Sequence, residues 1–178
     1  VQVHSLIVDD ICTYSFSIEK VKQAMNDADV LYICNPNNPT GVLTKAHTIE
    51  QLLQHGQKNN CFVVVDEAFM DWTNEEESVI PFISNYKNLI VVRSMTKMYS
   101  LAGIRLGYIL TQQAPNLRKF YPHWNVSNVA MKIGEKCLEL EEFVKKSTQM
   151  NEVWREDIKE FLRSFHCEVS NSETNYIL

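Results

Sequence analysis

Length, composition and charge narrow the classes of protein to which this chain can belong. Its 178 residues are 45% hydrophobic, enough for one ordinary globular core or for a large piece of a bigger one. The net charge of -5, without a basic block, argues against binding nucleic acid or an anionic membrane surface. No apolar run reaches the roughly 18 residues of a membrane-spanning helix. Five scattered cysteines without a CxxC pair favour a reducing, cytoplasmic location.

The spacing of apolar residues predicts alternating strands and helices. Short β-branched or aromatic runs at residues 31–34, 62–65 and 89–92 are typical of strands buried on both faces. Residues 44–59 have helical spacing with Thr44 as the expected N-cap, so the first two strands should run parallel. Residues 106–110 follow the third strand after a short link, which favours an antiparallel strand. Together these features indicate an α/β fold with a mostly parallel sheet.

The two ends of the chain and its last third have their own patterns. Residues 3–8 and 175–178 are both strand-like, and the chain has no initiating Met, so we expect a piece of a longer protein. Residues 126–165 are helical, with acids and lysines along one side that we interpret as a solvated face.

Polar residues follow three predicted strands at the ends where a parallel sheet binds ligands. "NPNNPTG" (35–41) follows the first, Asp66-Glu67 the second, and "RSMTK" (93–97) the third, with Arg105 eight residues beyond Lys97. Each is ordinary alone: a turn, a helix cap, surface cations. Together they bring an amide, a carboxylate, a hydroxyl, an amine and a guanidinium to one edge. That set suits an aromatic cation with an aldehyde and a phosphate, such as pyridoxal phosphate.

Residues 31–110 resemble the class I/II aminotransferases, pyridoxal-phosphate enzymes of fold type I, at five positions in order and spacing. The resemblance implies that Lys97 forms an imine with the cofactor and that Asp66 pairs with the pyridine nitrogen. Asn38 would bond the ring hydroxyl, and Ser94 and Arg105 would hold the phosphate. A carboxylate against the nitrogen keeps the ring protonated, which lets the ring accept an electron pair.

One position departs from the family pattern. The family commonly has a tyrosine three residues after the aspartate, where its hydroxyl also bonds the cofactor's ring oxygen, but this chain has Phe69. With that donor missing, we predict that the imine keeps its proton to higher pH than in a tyrosine-bearing relative.

Three stretches, "PNNPTG", "DEAFMDW" and "SLAGIRLGY", are most similar to the histidinol-phosphate aminotransferase branch and its close relative, threonine-phosphate decarboxylase. Phe69, "PHWNVSNVA" (122–130) and "TNYIL" (174–178) favour the decarboxylase pattern. We expect transfer of an amino group from an amino acid or amino phosphate to a keto acid. Decarboxylation of threonine phosphate is the alternative, because the bond that breaks depends on how the substrate carboxylate is held.

The resemblance also implies how the domains are organised. Residues 1–125 would form part of the cofactor-binding large domain, with three αβα layers. Residues 126–165 would be interdomain helices, and residues 166–178 the start of a small domain. The full-length protein would be a homodimer. The family's glycine-containing phosphate loop, ring-stacking aromatic and carboxylate-binding arginine come from segments outside this chain.

Several other features have ordinary structural roles as their alternatives. We interpret His123-Trp124 as packing between the two lobes, and regard Tyr99 and Asn175 as lesser candidates for facing the cofactor and the substrate. The five histidines show no ligand spacing, so no metal site is expected. The chain contains no GxGxxG motif, which argues against a dinucleotide-binding domain. It contains no GxxxxGK[ST] motif either, which argues against a phosphate-loop nucleotidase. A non-catalytic module that keeps the fold is a further alternative, although Lys97 has no evident structural role.

Overall fold

The computed structural model describes residues 2–73 and 75–178, and a four-stranded sheet lies at its centre. In spatial order its strands are β1 (Val30–Cys34), β2 (Phe62–Asp66), β3 (Leu89–Ser94) and β4 (Gly107–Leu110). The first three strands are parallel, and β4 is antiparallel to β3. The predicted strands, the parallel pairing of the first two, the antiparallel fourth strand and the mostly parallel α/β fold are confirmed.

Five α-helices and four 3-10 turns are found in the described residues. The helices are α1 (Ile18–Met25), α2 (Ala46–Lys58), α3 (Ala114–Leu117), α4 (Asn128–Cys137) and α5 (Glu141–Ser164). The 3-10 turns are Met70–Trp72, Glu75–Glu77, Ile80–Ser84 and Arg118–Phe120. None of these helices is long and apolar enough to cross a bilayer.

The predicted helical region 126–165 is divided into α4 and α5 by a break at residues 138–140. Its predicted solvated face is confirmed by exposed lysine–glutamate ion pairs, which join Lys132 to Glu135 and Lys136 to Glu139. Such exposed pairs contribute little to stability, about 0.2 to 1 kcal/mol each, so they serve mainly to keep this face solvated.

The start of α2 differs from the prediction. Thr44 does not cap the helix, which begins at Ala46 after Lys45. The Asn35 side chain instead bonds both backbone groups of Thr44, at 2.7 Å to its N–H and 3.0 Å to its carbonyl. Glu77 accepts the bond from the Ala46 N–H at 2.8 Å, so a carboxylate 31 residues away satisfies a donor that the helix leaves free.

The core lies between the sheet and the helices α1 and α2. One face of α2 supplies Ile49, Leu52 and Leu53, which are fully buried against Val63 of β2 and Val91 of β3. Each such side chain stabilises the fold by roughly 1.5 to 3 kcal/mol. The prediction that the first three strands are buried on both faces is wrong for β1 in the described structure, where Val30 and Tyr32 are more than half exposed.

Neither strand-like end of the chain forms a strand. Residues 2–7 have no regular secondary structure, and Ile7 is 89% exposed. Residues 175–178 turn back, so that the Ser170 N–H donates to the Leu178 carbonyl at 2.8 Å. A strand requires a neighbour for its backbone bonds, and neither segment pairs with a strand of the sheet in the described structure.

Candidate active site

Asp66 lies at the carboxyl end of β2, and both of its oxygens accept hydrogen bonds. The Tyr32 hydroxyl donates to Oδ2 at 2.5 Å, and the Ala68 N–H donates to Oδ1 at 3.0 Å. These two donors fix the orientation of the carboxylate. Partial burial and the bond to Asp66 raise the pKa of Tyr32, so the phenol stays protonated and remains a donor.

Glu67, the next residue, points into the protein instead. It is fully buried and accepts hydrogen bonds from the Ser78 hydroxyl at 2.7 Å and the Val79 N–H at 2.8 Å. Arg93 Nε lies 3.0 Å from Glu67 Oε2, an ion-pair distance without hydrogen-bond geometry. Burial raises the pKa of Glu67, and Arg93 opposes that rise. The two acids that end this strand therefore have different roles, because successive side chains point to opposite sides.

Arg93 is a buried structural cation that the sequence did not single out. Its Nη1 also lies 2.7 Å from Asp71 Oδ1, where burial raises the pKa of Asp71 to about 6 against the opposing effect of Arg93. The sequence did contain one signal of this burial. Alternate residues of a strand share a face, and Arg93 falls on the same face of β3 as the buried Leu89 and Val91.

Lys97 lies in the loop after β3 and contacts the aromatic ring that replaces the family tyrosine. Its Nζ is 5.2 Å from the centroid of the Phe69 ring, within the range of a cation–π contact. Phe69 follows Asp66 by three residues, so the loops after β2 and β3 bring the predicted amine and carboxylate to the same end of the sheet. Phe69 also meets Tyr176 edge-to-face, with 4.8 Å between centroids.

Ser94 and Arg105 flank the junction between β3 and β4. Ser94 ends β3 opposite Gly107, and its Oγ is 2.8 Å from Thr96 Oγ1. Arg105 precedes Gly107 by two residues, with an exposed side chain that donates to the Ala102 carbonyl at 3.0 Å. Its φ of +57° is unusual for a residue other than glycine, and such backbone conformations often occur at functional sites.

Asn38 lies on the loop after β1, whose neighbouring residues hold it in place. Asn37 is buried and accepts a bond from Thr40 Oγ1 at 2.9 Å, and Gly41 has a φ of +71°. The Asn38 side chain, in contrast, is exposed. No hydrogen bond in the described structure joins the side chains of Asn38, Ser94 and Arg105 to one another, although the topology brings them to one edge.

Residues 170–178 pack on the loop after β1, a contact that the sequence did not reveal. The Ser170 hydroxyl donates to the Thr40 carbonyl at 2.7 Å, and the Tyr176 hydroxyl donates to the Asn37 carbonyl at 3.1 Å. Lys159 of α5 holds the same segment by donating to the Ser172 carbonyl at 2.8 Å. In this segment Tyr176 contacts Phe69, whereas the candidate pocket residue Asn175 is exposed.

The remaining aromatic candidates lie elsewhere. Tyr99 stacks on Phe143 of α5, with 6.3 Å between centroids and 21° between planes. Trp124 is 99% exposed and so packs on nothing in the described structure, and the packing of His123-Trp124 between the two lobes stays a prediction.

The side chains at the sheet edge match the chemistry of pyridoxal phosphate. Asp66 is a carboxylate with a fixed orientation, as a ring nitrogen requires, and Ser94 and Arg105 carry donors suited to a phosphate. Lys97 has an exposed side chain that ends in a primary amine, as an aldehyde requires.

Comparisons with known proteins identify the family of this chain. The family model for aminotransferase class I and II matches residues 8–178. The histidinol-phosphate aminotransferase of Clostridium kluyveri is 40% identical, over 76% of this chain and 36% of the relative. That of Ruminiclostridium cellulolyticum is 34% identical, over 97% of this chain and 48% of the relative.

Solved structures share the fold. The histidinol-phosphate aminotransferase of Clostridium acetobutylicum superposes with a TM-score of 0.87 at 26% identity, covering 93% of this chain and 51% of that one. The L-threonine-O-3-phosphate decarboxylase of Porphyromonas gingivalis gives 0.70 at 26% identity, covering 82% and 47%. The chain thus spans about half the length, or less, of these proteins. By its sequence and its fold, it belongs to the aminotransferase class I and II family.

Proposed function

We propose that the whole protein is a pyridoxal-phosphate-dependent aminotransferase that moves an amino group from an amino acid or amino phosphate to a keto acid. The observation that carries this proposal is the Lys97 amine lying 5.2 Å from the Phe69 ring, at the sheet edge where Asp66 ends β2. When bound, pyridoxal phosphate supplies an acceptor for the electron pair left when a bond to the substrate Cα breaks.

In this proposal each residue at the edge has a separate task. Lys97 carries the amine that attaches the cofactor and moves a proton at the substrate. Asp66 faces the ring nitrogen with its carboxylate already oriented by Tyr32 and Ala68. Ser94 and Arg105 bind the phosphate, as charge-assisted bonds favour.

Asn38, exposed on the loop after β1, bonds the ring hydroxyl. The family membership supports all of these assignments, which we carry over residue by residue from the family pattern.

The names of the relatives support an amino phosphate of the histidinol-phosphate type as the substrate. A second candidate is decarboxylation of threonine phosphate, which two observations favour. Phe69 occupies the family's tyrosine position, and a threonine-phosphate decarboxylase is among the structural neighbours. In either case we propose a cytoplasmic homodimer.

Attachment of the cofactor can be tested without a substrate. Full-length protein is mixed with pyridoxal phosphate, reduced with borohydride and digested, and the labelled peptide is identified by mass. We expect the label on Lys97 and its loss in Lys97→Ala. Lys87→Ala is the matched control, because Lys87 is an exposed lysine that precedes the first residue of β3, at the end of the strand away from the candidate site. If the wild-type protein carries no label, the result would reject the proposed function and support the alternative of a non-catalytic module.

The reaction type requires a second assay. Amino transfer to a keto acid and release of carbon dioxide are measured over a panel of plain and phosphorylated amino compounds, including histidinol phosphate and threonine phosphate. Transfer from histidinol phosphate supports the first proposal. Carbon dioxide release from threonine phosphate without amino transfer selects the second.

A further inference from the structure

We propose that Tyr32 is a positioning residue that holds the Asp66 carboxylate for the cofactor and keeps the shared proton on the ring nitrogen. This inference rests on the proposed function and deepens it, because it assigns a role to a residue of β1 outside the five expected cofactor positions. The observation that carries it is the hydrogen bond of 2.5 Å from the Tyr32 hydroxyl to Asp66 Oδ2.

The register of the parallel strands explains how the two side chains meet. Cys34 of β1 is the direct partner of Asp66, and Tyr32 precedes Cys34 by two residues on the same face of the sheet. With strands about 4.8 Å apart and a rise of about 3.3 Å per residue, the Cα atoms of such diagonal neighbours lie roughly 8 Å apart, a span that a tyrosine can bridge. The contact is therefore set by the backbone of the sheet.

Exposure distinguishes this role from ordinary packing. The Tyr32 residue is 59% exposed, so its ring is not there to fill the core between the sheet and α2. Its hydroxyl is nevertheless engaged with a carboxylate. Since Ala68 bonds the other oxygen through its backbone, Tyr32 is the side chain that removes the remaining rotational freedom of Asp66.

The chemical consequence concerns one proton shared between a carboxylate and a ring nitrogen. A phenol that donates to the carboxylate withdraws electron density from it, so the carboxylate competes less well for that proton. The proton then stays on the nitrogen, where it makes the ring a better electron acceptor. Without the hydroxyl, Asp66 is both freer to rotate and a stronger competitor.

The test uses the full-length protein with pyridoxal phosphate labelled with ¹⁵N in the ring. For Tyr32→Phe we expect the ¹⁵N chemical shift to move toward the unprotonated value. We also expect the dissociation constant of the cofactor to rise about threefold to tenfold, less than a fully buried charged hydrogen bond would give. The matched control is Tyr86→Phe, because the Tyr86 hydroxyl donates to the Glu50 carboxylate at 2.9 Å on the helix side of the sheet. The control should change neither quantity.

A double-mutant cycle with Asp66→Asn separates positioning from general damage. If Tyr32 acts through Asp66, the two substitutions together should affect the dissociation constant by much less than the product of their separate effects. The positioning role would be overturned if the effects of the two substitutions on the dissociation constant multiply. It would also be overturned if Tyr32→Phe matches Tyr86→Phe in both measurements. In either case, labelling of Lys97 would still support the proposed function. A wild-type protein that does not bind the cofactor would overturn both proposals.

Discussion

The Lys97 Nζ lies over the Phe69 ring, 5.2 Å from the ring centroid. Phe69 is itself held edge-to-face by Tyr176, whose hydroxyl is bonded to the Asn37 carbonyl. The loops after β2 and β3 and the last residues of the chain therefore meet at this ring, and Tyr176 links it to the loop after β1. It offers a π face to the amine but no hydroxyl to a ligand.

Restoring that hydroxyl should change the titration of the bound cofactor. In Phe69→Tyr the new phenol can donate to the ring oxygen, which stabilises the oxygenate and weakens its hold on the proton at the Lys97 nitrogen. We expect the pKa of the visible absorption band to fall by about one unit, the effect of one charge-assisted hydrogen bond. A spectrophotometric titration measures it. Phe120→Tyr, at a site 82% exposed, is the control, and an unchanged or higher pKa in Phe69→Tyr would reject the prediction.

The sheet and the positions of Asp66 and Lys97 at its edge could be predicted because their signals are local. The bounds of each β-branched run agree with those of an observed strand to within two residues. Since the strands are parallel, the polar residues that follow them must lie at the same edge of the sheet. Asp66 and Lys97 were recognisable because a motif fixes their spacing to those strands. The family match then supports the pattern over most of the chain.

What the sequence did not reveal depends on contacts between distant residues. Arg93 forms ion pairs with Glu67 and Asp71, which lie 26 and 22 positions earlier in the chain. The Ser170 hydroxyl donates to the carbonyl of Thr40, which lies 130 positions earlier. The cap of α2 likewise comes from Glu77. No local pattern encodes such partners, so Arg93 resembled a surface cation and the terminal segment resembled a strand.

The buried ion-pair cluster around Arg93 should dominate the stability of this part of the molecule. Arg93→Met keeps much of the side-chain volume but leaves the fully buried Glu67 without its cation. We expect the free energy of unfolding to fall by about 3 to 5 kcal/mol, measured by urea denaturation with the slope compared between variants. Lys136→Met breaks an exposed pair with Glu139 and should cost less than about 1 kcal/mol. Equal losses in both variants would contradict the structural role of Arg93.

Asp71 should make stability fall as pH rises through the mildly acidic range. Its pKa is raised from 3.8 to about 6, chiefly by burial, so between these values the folded state holds a proton that the unfolded state has released. Stability therefore decreases as pH rises from about 4 to about 6 and levels off above that.

Asp71→Asn removes this contribution, so the wild type should lose stability relative to the variant across that window. Urea denaturation at pH 4, 5, 6 and 7 measures the difference, and Asp27→Asn, an exposed carboxyl after α1, controls for loss of charge. A difference that stays constant with pH would refute the assignment.

Gly41 should tolerate no side chain, because two separate constraints meet at its Cα. Its φ of +71° lies in the left-handed region, and a Cβ there would collide with the side chains of Ser172 and Thr174, which the terminal segment packs against the loop. For Gly41→Ala we expect a loss of about 2 kcal/mol or more in the free energy of unfolding, where backbone strain alone costs about 1 to 2. Gly103→Ala is the matched control, since nothing lies within 4 Å of the position that its Cβ would take, and it should change stability little. Adding Ser172→Gly to Gly41→Ala removes the collision with Ser172 but leaves the contact with Thr174 Oγ1 and the backbone strain, so it should recover part of the loss relative to Ser172→Gly alone. Full additivity of the two substitutions would show that the terminal segment does not pack on this loop in solution.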